Sequence, residues 1–149
     1  MRILLVIICL FASTLLNAEA VLHPIQGNPI PLSQLQGKWI LINYWASWCQ
    51  HCVDEIPELN QFYDQHKNEN VALFAVNYDM LPAEMQQQLI DDYDIHYPGL
   101  IENPSSTLNL GEIRGVPVTF VINPQGLLTQ RIYGGLTIDR LSRIIKSSS

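Results

Sequence analysis

The chain has 149 residues, 48% of them hydrophobic and 15% charged, with a formal net charge of −6. That length supports one well-buried core and is short for two. An acidic chain without a cluster of Lys or Arg lacks the electrostatic footprint of a nucleic-acid or anionic-lipid binder, so neither is expected as a partner.

The N-terminus reads Met1-Arg2, then a mostly apolar run from Ile3 to Leu16, then Asn17-Ala18-Glu19-Ala20. A basic start, an apolar middle and small residues at the end have the form of a secretory signal, with the cut expected after Ala20. The run is 14 residues long, short of the roughly 20 that a spanning helix needs, which argues against an uncleaved anchor. Acylation at Cys9 is set aside because that residue lies inside the run, behind bulky Ile8. The expected organisation is a signal peptide over residues 1–20 and one domain over 21–149, delivered to the periplasm. Cys9 leaves with the signal, so the exported domain keeps two of the three cysteines, Cys49 and Cys52.

Residues 21–38 are rich in Pro and Gly and read as extended structure, with a short helical turn around Leu32 to Leu35. WILINYW, 39–45, is an apolar run of strand length whose continuity predicts a strand covered on both faces. From Cys49 to about Lys67, Cys52, Ile56, Leu59, Phe62 and Tyr63 recur at helical spacing. VALFAVNY, 71–78, is a second buried strand. Residues 82–93 open with Pro82 at a plausible first helical position and carry Met85, Leu89 and Tyr93 four apart, which predicts another helix. VPVTFVIN, 116–123, is a third strand, NPQG a turn with Pro in its second place, and LLTQRIYGG a hairpin partner. Thr137 caps a last helix with Ile138, Leu141, Ile144 and Ile145 on its apolar face and basic residues toward its negative end. The order predicts an α/β domain, a mixed sheet with helices on both faces.

The CxxC pair follows a buried strand and opens a helix. Zinc wants four ligands, and His23, His51, His66 and His96 are not paired at ligand spacing, so no metal and no other cofactor is expected. A structural staple is weak, because the stabilisation from a disulfide grows with the loop it closes and this loop is minimal. Redox chemistry fits the position. Backbone N–H groups and the dipole at a helix N-terminus favour a thiolate, with Cys49 at the rim as nucleophile and Cys52, one turn inside, as the resolving thiol. His51 within the loop is a candidate for tuning that thiolate. Pro57 cannot donate to the carbonyl of Val53 and should bend the helix. Trp45 is expected in the core and Trp48 on a partner-facing surface.

WASWCQHC followed by VDEIP, then a strand, a helix and GVPVTFVINPQG, resembles the thioredoxin superfamily over nearly all of the exported length. Within it the chain is similar to the TlpA/ResA/CcmG (DsbE) group of exported thiol–disulfide oxidoreductases. The N-terminal extension and the extra helix at 82–93 between central strands look like that group's additions. The resemblance implies a thioredoxin-like fold with a central mixed sheet flanked by helices. It implies a protein substrate carrying a disulfide or thiols, a membrane electron donor of the DsbD/CcdA type, and apocytochrome c maturation as a typical setting. It also implies a cis-proline at Pro117 facing the cysteines, with Val116 before it contacting the substrate.

Ordinary thioredoxins carry a buried aspartate six positions before the first cysteine, where this chain has Asn43, an amide that cannot accept the proton. The resemblance to ResA-like proteins implies that Glu55, three residues past Cys52 on the same helix side, acts near the pair instead; otherwise it is an exposed helix acid. The CxHC spacing keeps open an oxidase or isomerase of exported proteins, and a non-catalytic binding module is a reading of another class. A peroxiredoxin-like peroxidase would want Thr and Pro where the chain has Ala46 and Ile42. His23, His66 and His96, and the acids Asp91, Asp92 and Asp94, read as solvated surface.

Overall fold

The computed structural model describes residues 19–146; the expected signal up to Ala18, and Ser147 to Ser149, lie outside the described residues. In chain order the elements are β1 (Val21–Leu22), β2 (Ile30–Pro31), a 3-10 turn (Leu32–Leu35), β3 (Trp39–Trp45), α1 (Gln50–His66), β4 (Val71–Asn77), α2 (Ala83–Asp92), β5 (Gly99–Leu100), β6 (Val118–Ile122), β7 (Leu128–Tyr133) and α3 (Ile138–Lys146). Five strands form one mixed sheet in the order β5-β4-β3-β6-β7. The architecture is thioredoxin-like, a five-stranded sheet flanked by three α-helices.

The central strand is β3, parallel to β4 and antiparallel to β6, and every residue in it is buried. This is why WILINYW shows no alternation: both of its faces meet protein. Leu41 and Trp45 point to one side with Cys52, Ile56, Leu59 and Phe62 of α1 and Leu141 and Ile144 of α3; Leu89, Ile90 and Tyr93 of α2 pack on the edge of the same cluster. On the other side Ile40, Ile42 and Tyr44 join Phe74, Val76, Val118 and Phe120.

The expectation of helices on both faces gives way here. All three α-helices gather on the Leu41 face, while the Ile42 face is closed by Leu22, Leu35 and Leu110 from the β1–β2 hairpin, the 3-10 turn and the long connection before β6, with Leu100 of β5 beside them. That cover continues to the N-terminal edge of the described chain. Leu32 N–H donates to the Ala20 carbonyl at 3.0 Å and Ser33 N–H to Glu19 Oε1 at 2.9 Å.

Two details of α2 go beyond the sequence reading. Pro82 is the N-cap rather than the first helical residue. Met85 is about half exposed, and the buried position is its neighbour Gln86. Its amide donates to the carbonyls of Leu81 and Ile101, so a polar side chain is the inward residue because it pairs with two loop carbonyls. The NPQG turn forms as expected, Gly126 N–H closing onto the Asn123 carbonyl at 2.8 Å. Thr137 Oγ1 accepts from Arg140 N–H at the start of α3.

Candidate active site

Strand β3 delivers the chain to its C-terminal edge, where Ala46 to Trp48 turn it into α1. Cys49 is the N-cap of that helix and is joined to Cys52 in a disulfide. Cys52 N–H donates to the Cys49 carbonyl at 3.0 Å and also lies 3.2 Å from Cys49 Sγ, so a first-turn N–H faces the sulfur that would carry negative charge. Cys49 is 8% exposed and Cys52 fully covered, the order of access that the two roles require.

The Val116–Pro117 peptide is cis. Because β6 runs antiparallel to β3 and Val118 pairs with Tyr44, Val116 and Pro117 lie past the end of the ladder, at the same edge of the sheet as the cysteine loop. The Pro117 carbonyl is held by Gly134 N–H at 3.0 Å, and Val116 is partly open.

Trp48 is 64% exposed, yet its indole is held in place. Nε1 donates to Asp79 Oδ2 at 2.8 Å, and the ring lies edge-on to Tyr78. Asp79 is set in turn by its N–H bond to Asn77 Oδ1. Trp45 is core, edge-on to Tyr93, whose hydroxyl donates to the Ser47 carbonyl and ties α2 to the active-site loop.

Glu55 is the departure from a surface helix. It is 3% exposed, and its carboxyl accepts from Asn43 Nδ2 and from Leu136 N–H, both at 2.8 Å. Asn43 Nδ2 also bonds Thr119 Oγ1 at 3.0 Å, and the Tyr97 hydroxyl reaches Asn43 Oδ1 at 3.5 Å. Burial pushes the Glu55 carboxyl up to about 7, against the opposing pull of the Asn43 and Leu136 bonds. The reading of Glu55 as an exposed acid is therefore excluded. It is a buried acid poised near neutrality on the helix of the cysteines, one turn beyond Cys52.

The AhpC/TSA family matches residues 16–131 of the chain. The chain belongs to this family. Its relatives include the thiol-disulfide oxidoreductase ResA of Oceanobacillus iheyensis, 32% identical over 123 residues that span 83% of this chain and 64% of that protein. The ResA of Bacillus subtilis is 29% identical over 150 residues, spanning 91% of this chain and 83% of that one. The crystal structure of StoA from Bacillus subtilis superposes with a TM-score of 0.64 at 26% identity, over 83% of this chain and 92% of the other. Against the Oceanobacillus protein, then, the chain spans just under two thirds of the relative's length. Within the AhpC/TSA family the chain is a redox enzyme of the thiol–disulfide oxidoreductase kind, in keeping with its CxxC disulfide. Ala46 and Ile42 stand where a peroxidatic motif would need Thr and Pro.

The remaining candidates separate clearly. His51 is exposed in the first turn of α1. His66 bonds Glu69 at 2.8 Å and His23 approaches Glu102 at 3.7 Å. His96 is less bland than its loop position suggested. It bonds Asp64 at 2.7 Å and approaches Asp94 at 3.5 Å, and these carboxylates, the Asp64 bond foremost, hold its imidazole above the usual range. Among the described residues no group of three or more His, Cys, Asp or Glu is placed to hold a metal.

Sequence reasoning missed Thr119, Tyr97 and the Leu136 N–H. For Thr119 a signal was present: Asn43 and Thr119 are the polar residues inside two otherwise apolar strands, and they pair directly in the ladder. Tyr97 and Leu136 come from connections whose path no local pattern reveals.

Proposed function

We propose that the protein is an exported, periplasmic disulfide reductase. A membrane donor of the DsbD/CcdA type reduces the Cys49–Cys52 disulfide, and the resulting dithiol reduces a disulfide in a client polypeptide, apocytochrome c being the client class the family resemblance favours. The observation that carries the reading is the buried Glu55 carboxyl on the cysteine helix, three residues beyond the resolving thiol. A reductase must deprotonate its covered second cysteine at neutral pH, and an acid poised near 7 is matched to that work.

The steps balance as follows. Cys49 thiolate attacks one client sulfur, forming a mixed disulfide and releasing the other sulfur as a thiolate. Cys52 gives its proton to the Glu55 carboxylate and attacks Cys49 Sγ. The intramolecular disulfide closes, the second client thiolate leaves, and the protons from Glu55 and solvent complete the client thiols. Two electrons pass from the protein to the client.

The opposite direction, oxidation or isomerisation of exported proteins, rests on His51. Its exposed place in the first turn weakens that reading, because solvent and salt screen the charge of an exposed imidazole. The reduction potential of the pair decides between them. The reductase reading expects a value nearer thioredoxin's, about −270 mV, than the roughly −120 mV of a strong oxidant; a value at the oxidising end would overturn it. Reduction of insulin by the dithiol form separates either enzyme from a binding module.

A further inference from the structure

We propose that Glu58 is a positioning residue of the thiol-exchange site, anchoring the connection between β7 and α3 so that the Leu136 N–H stays on Glu55. This rests on the reading of Glu55 as the proton carrier of the pair. Glu58 touches no reacting atom and acts through the backbone that it holds.

The connection leaves β7 at Tyr133 and enters α3 at Ile138. Alternate N–H groups along it are bonded to the site. Gly134 donates to the Pro117 carbonyl at 3.0 Å, Leu136 to Glu55 Oε2 at 2.8 Å and Ile138 to Glu58 Oε2 at 2.8 Å. Glu55 and Glu58 stand three apart on α1 and so share a face of the helix. The connection is fastened to that face at two points.

The second point matters because little else sets the direction of the Leu136 N–H. The Leu136 side chain is buried and fixes where that residue sits, but its N–H belongs to the peptide plane shared with Gly135. Gly135 is exposed with open space where a Cβ would stand, and Gly134 before it has a φ of 86°. Two glycines in succession leave this backbone free to turn. Ile138 N–H opens α3 and has no partner within its own helix. A carboxyl of α1 bonded to it caps α3 and fixes the direction from which the connection arrives.

Glu55 carries one donor on each oxygen, Asn43 Nδ2 and Leu136 N–H. Both favour the ionised carboxyl and oppose the burial that raises it. Loosening the connection weakens the second donor, so the Glu55 midpoint rises further. The other groups around Glu55 are uncharged: Thr119 from β6, Cys52 in the disulfide, and Tyr97 from the segment before β5, whose phenol is held well above the usual range by burial and then by the charge of Glu55. Asp54, one turn before Glu58, and Asp139 and Arg140 beside Ile138 are exposed. A negative charge at position 58 would itself raise Glu55, so removing that charge lowers the midpoint. The sign of the shift therefore separates a lost bond from a lost charge.

The test uses the oxidised full-length protein, in which the cysteines do not titrate. The Glu55 carboxyl is followed by carbon-13 NMR of labelled glutamate and assigned with Glu55→Gln. Glu58→Ala should raise the midpoint by about half to one pH unit, part of the worth of one hydrogen bond to a charged group. Glu58→Gln removes the charge but keeps an oxygen that accepts from Ile138 N–H, and should hold the midpoint within about 0.2 pH units of wild type. A midpoint that stays or falls in Glu58→Ala overturns the proposal, and so does one that rises as far in Glu58→Gln.

Should Glu58→Ala fail to fold, Glu58→Asp decides in its place. It keeps the charge but is one methylene short of Ile138 N–H, so the midpoint should rise, and an unmoved midpoint overturns the proposal. In the reduced protein the rise of exchange rate with pH should move alkaline with the midpoint. A displaced midpoint with an unmoved exchange profile, and normal exchange by Glu55→Gln, would instead remove Glu55 from the reaction, so the two failures are distinguishable.

Discussion

On one face of β3, Ile40, Ile42 and Tyr44 meet Phe74, Val76, Val118 and Phe120 in an apolar layer. On the other, Leu41 and Trp45 flank Asn43, which joins Glu55, Thr119 and Tyr97 in a buried polar cluster under the cysteine helix. Both faces are equally closed to solvent. The apolar face gains stability from burial at about 25 cal/mol per Å² of apolar surface. The polar face spends stability on an acid that burial destabilises in its charged form. Both sides hold the sheet to its cover, and the helix side carries the titratable cluster in addition.

The largest effect tests the site itself. Cys49→Ser should abolish exchange, while Cys52→Ser leaves Cys49 able to attack and stalls it as a mixed disulfide that pull-down recovers with its client. Trapping by the Cys49→Ser protein in place of Cys52→Ser would reverse the roles.

Next, the two faces should separate under mutation. Ile42→Ala deletes a fully buried aliphatic side chain and should cost about 2–5 kcal/mol in denaturant unfolding while leaving the pH dependence of exchange as it was. A changed pH profile would mean that the apolar face also governs the chemistry.

Glu55→Gln should show the complementary behaviour. The folded carboxyl titrates near 7 and the unfolded one near 4.5, so between those values the folded state binds more protons and stability falls as pH rises. The penalty is absent below about pH 4.5 and complete above about 7, where it amounts to ~3 kcal/mol at 1.36 kcal/mol per pH unit. In the oxidised protein, wild type should therefore lose stability relative to Glu55→Gln across that window. Parallel stability curves would show that the carboxyl does not titrate there.

The smallest effect concerns His51. Its imidazole is exposed, so His51→Pro should shift the pair only a few tens of millivolts toward the reducing side, 30 mV being about 1.4 kcal/mol. A shift of 100 mV or more would restore His51 as the residue that sets direction.

The legible parts of the fold were those with a long local pattern. WILINYW, VALFAVN and VTFVI are apolar runs whose continuity reflects cover on both faces, and α1 declares itself through Cys52, Ile56, Leu59 and Phe62. Strand β5 is two residues long, too short for any period. The β1–β2 hairpin is equally short and was read only as extended structure. In α2, Gln86 is inward for its hydrogen bonds to the carbonyls of Leu81 and Ile101, which apolar spacing does not reveal. At the site, the cysteines and the GVP turn were plain from their motif. The carboxyl of Glu55 was placed on the side of Cys52 by helical spacing, but its burial was not readable, since it depends on Asn43 and on Leu136, 81 residues away.

The central claim is that Glu55, and not a surface group, moves the proton of the resolving thiol. The most direct measurement is the rate of thiol–disulfide exchange from about pH 5 to 9 in wild type and Glu55→Gln, a range that brackets the carboxyl and a free cysteine's value of about 8.5. Wild type should show a rise centred near 7 that Glu55→Gln lacks, with the variant slower at neutral pH and converging as hydroxide takes over the deprotonation. Superimposable profiles would contradict the account.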